Sequence, residues 1–257
     1  MIVTTAGRTN QEYIHLAKKV ANELNIPYVK RNKQSIAKMF SISSNIVVIG
    51  KQGIELHNRE SHEPYFFHPN VAMIRAKRIL KGEHDPLIEI SGLKAGDSFL
   101  DCTLGYGSDS IIASLIVGES GKVIGIESST ILSYIVKEGL QNWSSQNQQI
   151  DQAMRHVEVV NSNHYDVLKS MRTNSIDVIY FDPMFEESIT ESNALQTMSF
   201  HCNHDTITAD TIEEAKRVAR RKIVLKDHFR SERFKILGFE QQIRKTAKFH
   251  FGFINVD

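Results

Sequence analysis

Two cysteines in 257 residues, Cys102 and Cys202, are too few for a disulfide framework and are not at metal-ligand spacing. No apolar run approaches the roughly 20 residues needed to span a bilayer. The opening MIVTTAGRTNQ holds no apolar stretch of signal-peptide length. Charge of one sign is missing too: 31 Lys and Arg against 30 Asp and Glu leave +1, so the chain as a whole does not advertise nucleic-acid binding. A basic face remains open, because binding depends on where charges cluster. Internal repeats and low-complexity tracts are also lacking. These absences exclude a secreted disulfide scaffold, a helical membrane protein and a repeat array. The expectation is a cytoplasmic protein with neither a membrane partner nor a metal; nothing in the sequence fixes its oligomeric state.

A hydrophobic share of 41% over this length is enough to bury a full core. Residues 1–63 read as a small α/β unit: strand MIVTT, a helix over Gln11 to Leu24, then strands NIVVIG and IELHN around the turn KQG. Residues 64–257 read as the main domain, with a soft boundary between Asn58 and Asp97. In it, apolar strands FLDCT, KVIGIE, VEVVNS and IDVIYF alternate with helical stretches. Helix TADTIEEAKRVARR, strand KIVLK and a terminal antiparallel hairpin, GFEQQIRKTAKFHFGFINV, follow. Continuous apolar strands alternating with helices predict a mostly parallel, Rossmann-like α/β sheet covered on both faces.

The first chemical motif is Asp101-Cys102-Thr103-Leu104-Gly105-Tyr106-Gly107, which follows strand FLD and leads into a helix. Glycines at such a turn let the backbone approach a ligand where a Cβ would collide. The dinucleotide fingerprint GxGxxG fails, because Ser110 stands at its third glycine. Glu127, ending the next strand, can accept from both hydroxyls of a ribose. An ordinary tight turn and a solvated strand-end glutamate would look the same, and the pair implies a nucleoside cofactor without choosing one.

The second motif is Asp182-Pro183-Met184-Phe185 after strand IDVIYF. An exocyclic base nitrogen is a poor nucleophile, since its lone pair is delocalised into the ring. The Asp182 carboxylate and the Pro183 carbonyl can both accept from that NH2 group and aim its lone pair at a methyl donor. Phe185 offers a stacking face for an extruded base. Read alone, Asp-Pro is more often a helix cap; on the strand after the glycine turn and Glu127 it becomes the most informative signal in the chain.

Together these segments resemble the RsmJ family, bacterial methyltransferases of guanine N2 in small-subunit ribosomal RNA, and in particular a Firmicute branch related to it. FHPNVAMIRAKR, DCTLGYGSDS with VIGIES, YFDPMF, and KRVARRKIVLK with KFHFGF carry the match, from about Phe66 onward. The resemblance implies a class I methyltransferase fold with S-adenosylmethionine as cofactor and RNA as partner. Asp182, Pro183 and Phe185 would be catalytic. Asp101, Gly105, Gly107, Ser108, Asp109, Glu127, Ser128, Asn163, His164 and Asp182 would lie at the cofactor. Glu186 and Glu187 depart from the basic residues that the family carries after the motif.

Three cationic clusters are candidate RNA contacts: Arg75, Lys77, Arg78 and Lys81; Lys216 to Lys222; and Lys226, His228, Arg230 and Arg233. Arg75, Arg78 and Lys226 are singled out for the substrate. Each cluster could equally be a solvated face. Two other readings remain open, an NAD-dependent oxidoreductase and a methyltransferase-fold RNA-binding or assembly protein without catalysis.

Overall fold

The computed structural model describes residues 1–61, 63–183 and 207–256. Phe185, Glu186, Glu187 and Cys202 lie outside the described residues. Eleven strands are described, in two sheets. The smaller sheet runs β1 (Ile2–Thr5), β2 (Asn45–Gly50), β3 (Gly53–Asn58), β4 (Tyr65–Phe66), with β1 and β2 parallel and the rest antiparallel. Helix α1 (Gln11–Glu23) starts at Asn10, whose side chain accepts from the Tyr13 N–H; its Ala17, Val20 and Ala21 are buried. A short α2 (Ile36–Met39) precedes β2.

The larger sheet is built from β5 (Ser98–Asp101), β6 (Lys122–Glu127), β7 (Val157–Asn161), β8 (Ile176–Phe181), β9 (Ala219–His228), β10 (Glu240–Gln242) and β11 (Phe249–Asn255). Its order is β10-β11-β9-β8-β5-β6-β7, and only β11 pairs antiparallel to its neighbours. The chain thus winds outward from β5 through β6 to β7, then returns to the other side at β8. Ligands of such sheets sit beyond the carboxyl ends of the strands, at that reversal. Central strands are apolar throughout, as burial on both faces demands: Phe99 and Leu100 in β5, and Val178 to Phe181 in β8, are fully covered.

Connecting helices are α3 (Asn70–Ile79), α4 (Pro86–Ser91), α5 (Ser108–Val117), α6 (Thr130–Asn142), α7 (Gln148–His156), α8 (His164–Ser170), α9 (Ala209–Val218) and α10 (Arg233–Ile236). Local chemistry sets several starts: Asp85, Asn147, Asn163 and Thr208 each accept from a first-turn backbone N–H. One core cluster joins both sheets, from Val3 and Val47 to Phe99 and Val136. The seam is tight where Phe67 lies on α6, because a Cβ on Gly139 would stand 2.1 Å from its ring.

The alternating α/β architecture and the terminal hairpin agree with the sequence reading. One boundary differs. Residues Ala219, Arg220 and Arg221, expected in the helix, open β9 instead. Parallel pairing of Ala219 with Ile176 draws them into the sheet, and tertiary pairing outweighs the helix-favouring run before it.

Candidate active site

Strand register brings the predicted residues to one edge. Asp101 stands beside Gly125 of β6 and Tyr180 of β8, Glu127 beside Asn161 of β7, and Phe181 beside Leu225 of β9. Asp101, Glu127, Asn163, Asp182 and Lys226 therefore all lie at the carboxyl ends of neighbouring strands.

Asp101 ends the central strand inside the protein, 1% exposed. Its carboxylate accepts from the Thr103 N–H at 3.0 Å and the Ser110 hydroxyl at 2.7 Å. Burial and the nearby Asp109 carboxylate push it up to about 7. The loop then passes through Gly105 and Gly107 at φ +51° and +73°, a left-handed conformation that a Cβ disfavours. Gly107 is the N-cap of α5 and has no side chain to cap it, so the first-turn N–H groups meet the cleft unscreened by a capping oxygen. Leu104 packs beneath, where a Cβ on Gly125 would fall 2.3 Å from it.

A chain of charges runs along this edge. Arg75 of α3 grips Asp85 bidentately at 2.8 and 2.9 Å and reaches Asp109 at 2.5 Å. Asp109 also accepts from the Tyr180 hydroxyl at 3.0 Å, and Lys226 Nζ lies 3.6 Å away. Burial would raise the Asp109 carboxyl, yet Lys226 and Arg75 outweigh it and hold it down to about 2. Lys226 Nζ donates to Asp182 Oδ2 at 2.5 Å. Burial would lower the Lys226 ammonium, but Asp182 and Asp109 keep it charged, above the ordinary lysine range. Asp182 itself is pushed up to about 6 by burial, against the pull of Lys226 and with Asp109 adding to the rise. Asp182 Oδ1 has no hydrogen-bond partner among the described residues. The Asp182 N–H donates to the Thr103 hydroxyl at 2.6 Å, which ties the Asp-Pro turn to the glycine loop.

On the other side of the cleft, Glu127 is 7% exposed and accepts from the Ser129 N–H at 2.8 Å. Asn161 donates to the backbone oxygens of Glu127 and Ser128. Asn163 caps α8, and His164 is buried with its ring edge-on to Phe181 at 5.9 Å. Ser108 opens α5.

The substrate-side cations are distributed differently from the expectation. Arg75 is not open to a phosphate, because its guanidinium is committed to Asp85 and Asp109. Arg78 is exposed and pairs with Glu83. The run from Lys216 to Lys222 sits at the opposite edge of the sheet, where β8 and β9 begin. There Arg217 holds Glu214 and the Leu168 and Met171 carbonyls, Arg220 holds Asp177, and Arg221 holds Asp97. That cluster knits the bottom of the fold together and is removed from the cleft. Residues the sequence reading passed over are Thr103, Tyr180 and Asp85. Tyr180 was hidden inside an apolar strand, and Asp85, which also caps α4, is brought to Arg75 only by the fold.

The donor set fits S-adenosylmethionine. Two left-handed glycines bring backbone to the ligand, Glu127 can accept from ribose hydroxyls, and Asp101, Asp109 and Asp182 suit a ligand that carries positive charge. No group of three or more potential metal ligands occurs among the described residues, and no described helix is long and apolar enough to cross a membrane.

Comparison with known proteins agrees with this fit. The uncharacterized protein YpiP of Bacillus subtilis (strain 168) is 43% identical over 254 residues, covering 98% of both chains. The crystal structure of the SAM-dependent methyltransferase NGO1261 from Neisseria gonorrhoeae superposes with a TM-score of 0.65, covering 99% of this chain and 96% of that one at 13% identity, which shows a shared fold. The model of the family described as "Putative SAM-dependent methyltransferase" matches residues 32–249; the chain belongs to that family, and S-adenosylmethionine is its cofactor.

Proposed function

We propose that the chain methylates an exocyclic amine of a nucleobase in RNA, with guanine N2 of small-subunit ribosomal RNA as the substrate its resemblance to the RsmJ family suggests. The supporting observation is the placement of Asp182: a strand-end carboxylate beside Pro183, tied to the glycine loop through Thr103, with Oδ2 held by Lys226 and Oδ1 without a partner among the described residues. In this reading Gly105, Gly107, Ser108, Asp109, Glu127, Ser128, Asn163 and His164 surround the cofactor, whose sulfonium supplies an electrophilic methyl group.

Asp182 Oδ1 and the Pro183 carbonyl accept the two N–H bonds of the amine, which draws its lone pair out of the ring plane and aims it. Lys226 fixes the carboxylate by holding the other oxygen. Asp182 Oδ1 then takes the proton that the methylated nitrogen sheds; such an ammonium is a strong acid, so a carboxylate suffices. Tyr180 and Arg75 hold Asp109 and act as positioning residues.

The test is mass spectrometry of ribosomal RNA nucleosides from cells with and without this gene. Loss of one methylated nucleoside, restored by the wild-type gene but not by Asp182→Ala, is expected. An unchanged nucleoside profile overturns the substrate assignment. Asp182→Ala with full methyl-transfer activity overturns the role of the carboxylate.

A further inference from the structure

Beyond Asp182, the same edge of the sheet continues across β9 and β11, and its side chains change character. Lys226 Nζ lies 5.1 Å from the Phe249 ring, and Arg244 sits 5.5 Å from the same ring. Phe229 is 38% exposed, stands one residue past β9, and carries the Arg230 guanidinium at 5.0 Å. The Phe229 N–H donates to the Lys248 carbonyl at 3.1 Å, so the end of β9 and the turn before β11 form one surface.

The turn at residues 243–248 is fastened from below. Buried His250 receives the Gln241 amide at Nδ1 and meets the Arg244 backbone through Nε2. The fastening leaves Lys245 and Lys248 exposed, with Ile243 73% exposed beside them. Arg244 Nη1 is shielded from solvent and has no acceptor among the described residues. The acid of this strand, Asp227, is buried and bound to Ser231 and Arg233, so it does not offset the outward cations. Glu232 and Glu240 are the exposed acids nearest these cations in sequence.

We infer that Phe229, Arg230, Arg244, Lys245, Lys248 and Phe249 form a binding rim for a single RNA strand, which would deliver its target base to Asp182. This rests on the nucleobase reading above and adds where the strand lies. Aromatic faces interleaved with cations are the physical requirement for unpaired nucleic acid: bases stack on rings of any sequence, and cations follow the phosphates. A solvated lysine face would have no exposed phenylalanine at its centre. The unbroken path from Asp182 through Lys226 to Phe249 gives the rim its direction. The basic run at Lys216 to Lys222, at the opposite edge, is the built-in contrast.

The test is fluorescence anisotropy with the full chain and a labelled 12-nucleotide oligouridine, which has no exocyclic amine and so reports binding apart from chemistry. A duplex of equal length is measured alongside, over about 50–200 mM salt. Expected is preference for the single strand, with Lys245→Glu/Lys248→Glu weakening it at least tenfold and reducing the salt slope by about two. Phe229→Ala should weaken it about fivefold or more, and Lys216→Glu should leave it unchanged. Calorimetric affinity for S-adenosylmethionine should be equal in all variants, which certifies their folding.

If the wild type binds RNA and the rim variants bind as well as it does, the rim is overturned while the base-amine reading stands. Equal or tighter binding of duplex, or a loss confined to Lys216→Glu, overturns it likewise. If the wild type binds no RNA, the nucleobase reading falls and the rim with it.

Discussion

Replacing Asp101 by asparagine should flatten the dependence of stability on pH and make the protein more stable than wild type above neutrality. Asp101 is buried, and its carboxyl is lifted from 3.8 to about 7. For an acid raised on folding, the folded state binds more protons than the unfolded state between those two values. The stability this group contributes is therefore fully present below pH 3.8 and is lost as pH rises toward 7. Integrating the two titrations between pH 5 and pH 8 gives a loss of about 2–3 kcal/mol from this group alone. For a chain of this size that corresponds to roughly 5–10 °C in melting temperature.

Asparagine has nearly the same shape and can keep both hydrogen bonds. Its oxygen accepts from the Thr103 N–H, while its amide donates to a Ser110 hydroxyl that rotates to receive it. The assay is a set of thermal melts without ligand at pH 5 and pH 8 for both proteins. Taking the difference between them removes histidines and other groups common to both. A variant whose melting temperature falls between these pH values as steeply as that of wild type would refute the reasoning.

Lys226→Met removes the cation that opposes the rise of Asp182, so the acidic limb of the methyl-transfer rate, expected near pH 6 in wild type, should move to higher pH. Single-turnover rates across pH 5–9 check this, and an unmoved limb refutes it. Thr103→Val leaves the Asp182 N–H without its acceptor and should cost about 1–3 kcal/mol in chemical denaturation, with a larger fall in kcat than in cofactor affinity. Gly139→Ala forces a Cβ into the Phe67 ring and should cost about 1–3 kcal/mol by overpacking, with the circular dichroism spectrum retained; wild-type stability would show that the seam yields easily.

The parts of the site that were legible in the sequence are those where one strand end carries the message. Gly105, Gly107, Glu127 and Asp182 each follow an apolar strand directly, and parallel strands must place such residues on a common edge. What joins them was not legible. Arg75 and Asp109 are 34 residues apart, and on the page Arg75 is one cation among four in a basic helix. Its acids, Asp85 and Asp109, lie 10 and 34 residues further along the chain. The surroundings of the run Lys216 to Lys222 were not legible for the converse reason: Glu214, Asp177 and Asp97 face it only after folding, and its position at the bottom of β9 depends on register with β8. The rim was hidden because Phe229 and Lys248 meet across an antiparallel pair that a hairpin assignment alone does not align.

Charge counting along the cleft explains how such a site persists before any ligand arrives. Among the described residues, Asp85, Asp109 and Asp182 pair with Arg75 and Lys226, and buried Asp101 beside Asp109 has no ion pair, a deficit of two positive charges if every acid is ionised. Uncompensated buried charge is too costly to keep, so protons fill part of the gap. Asp101 carries one near neutral pH, while Asp109, gripped by both cations, carries none. A ligand bearing positive charge supplies what the proton supplied and favours the ionised form of Asp101. The same acids thereby favour a sulfonium donor over a neutral nucleoside. Selectivity for the charged methyl donor then follows from the deficit itself.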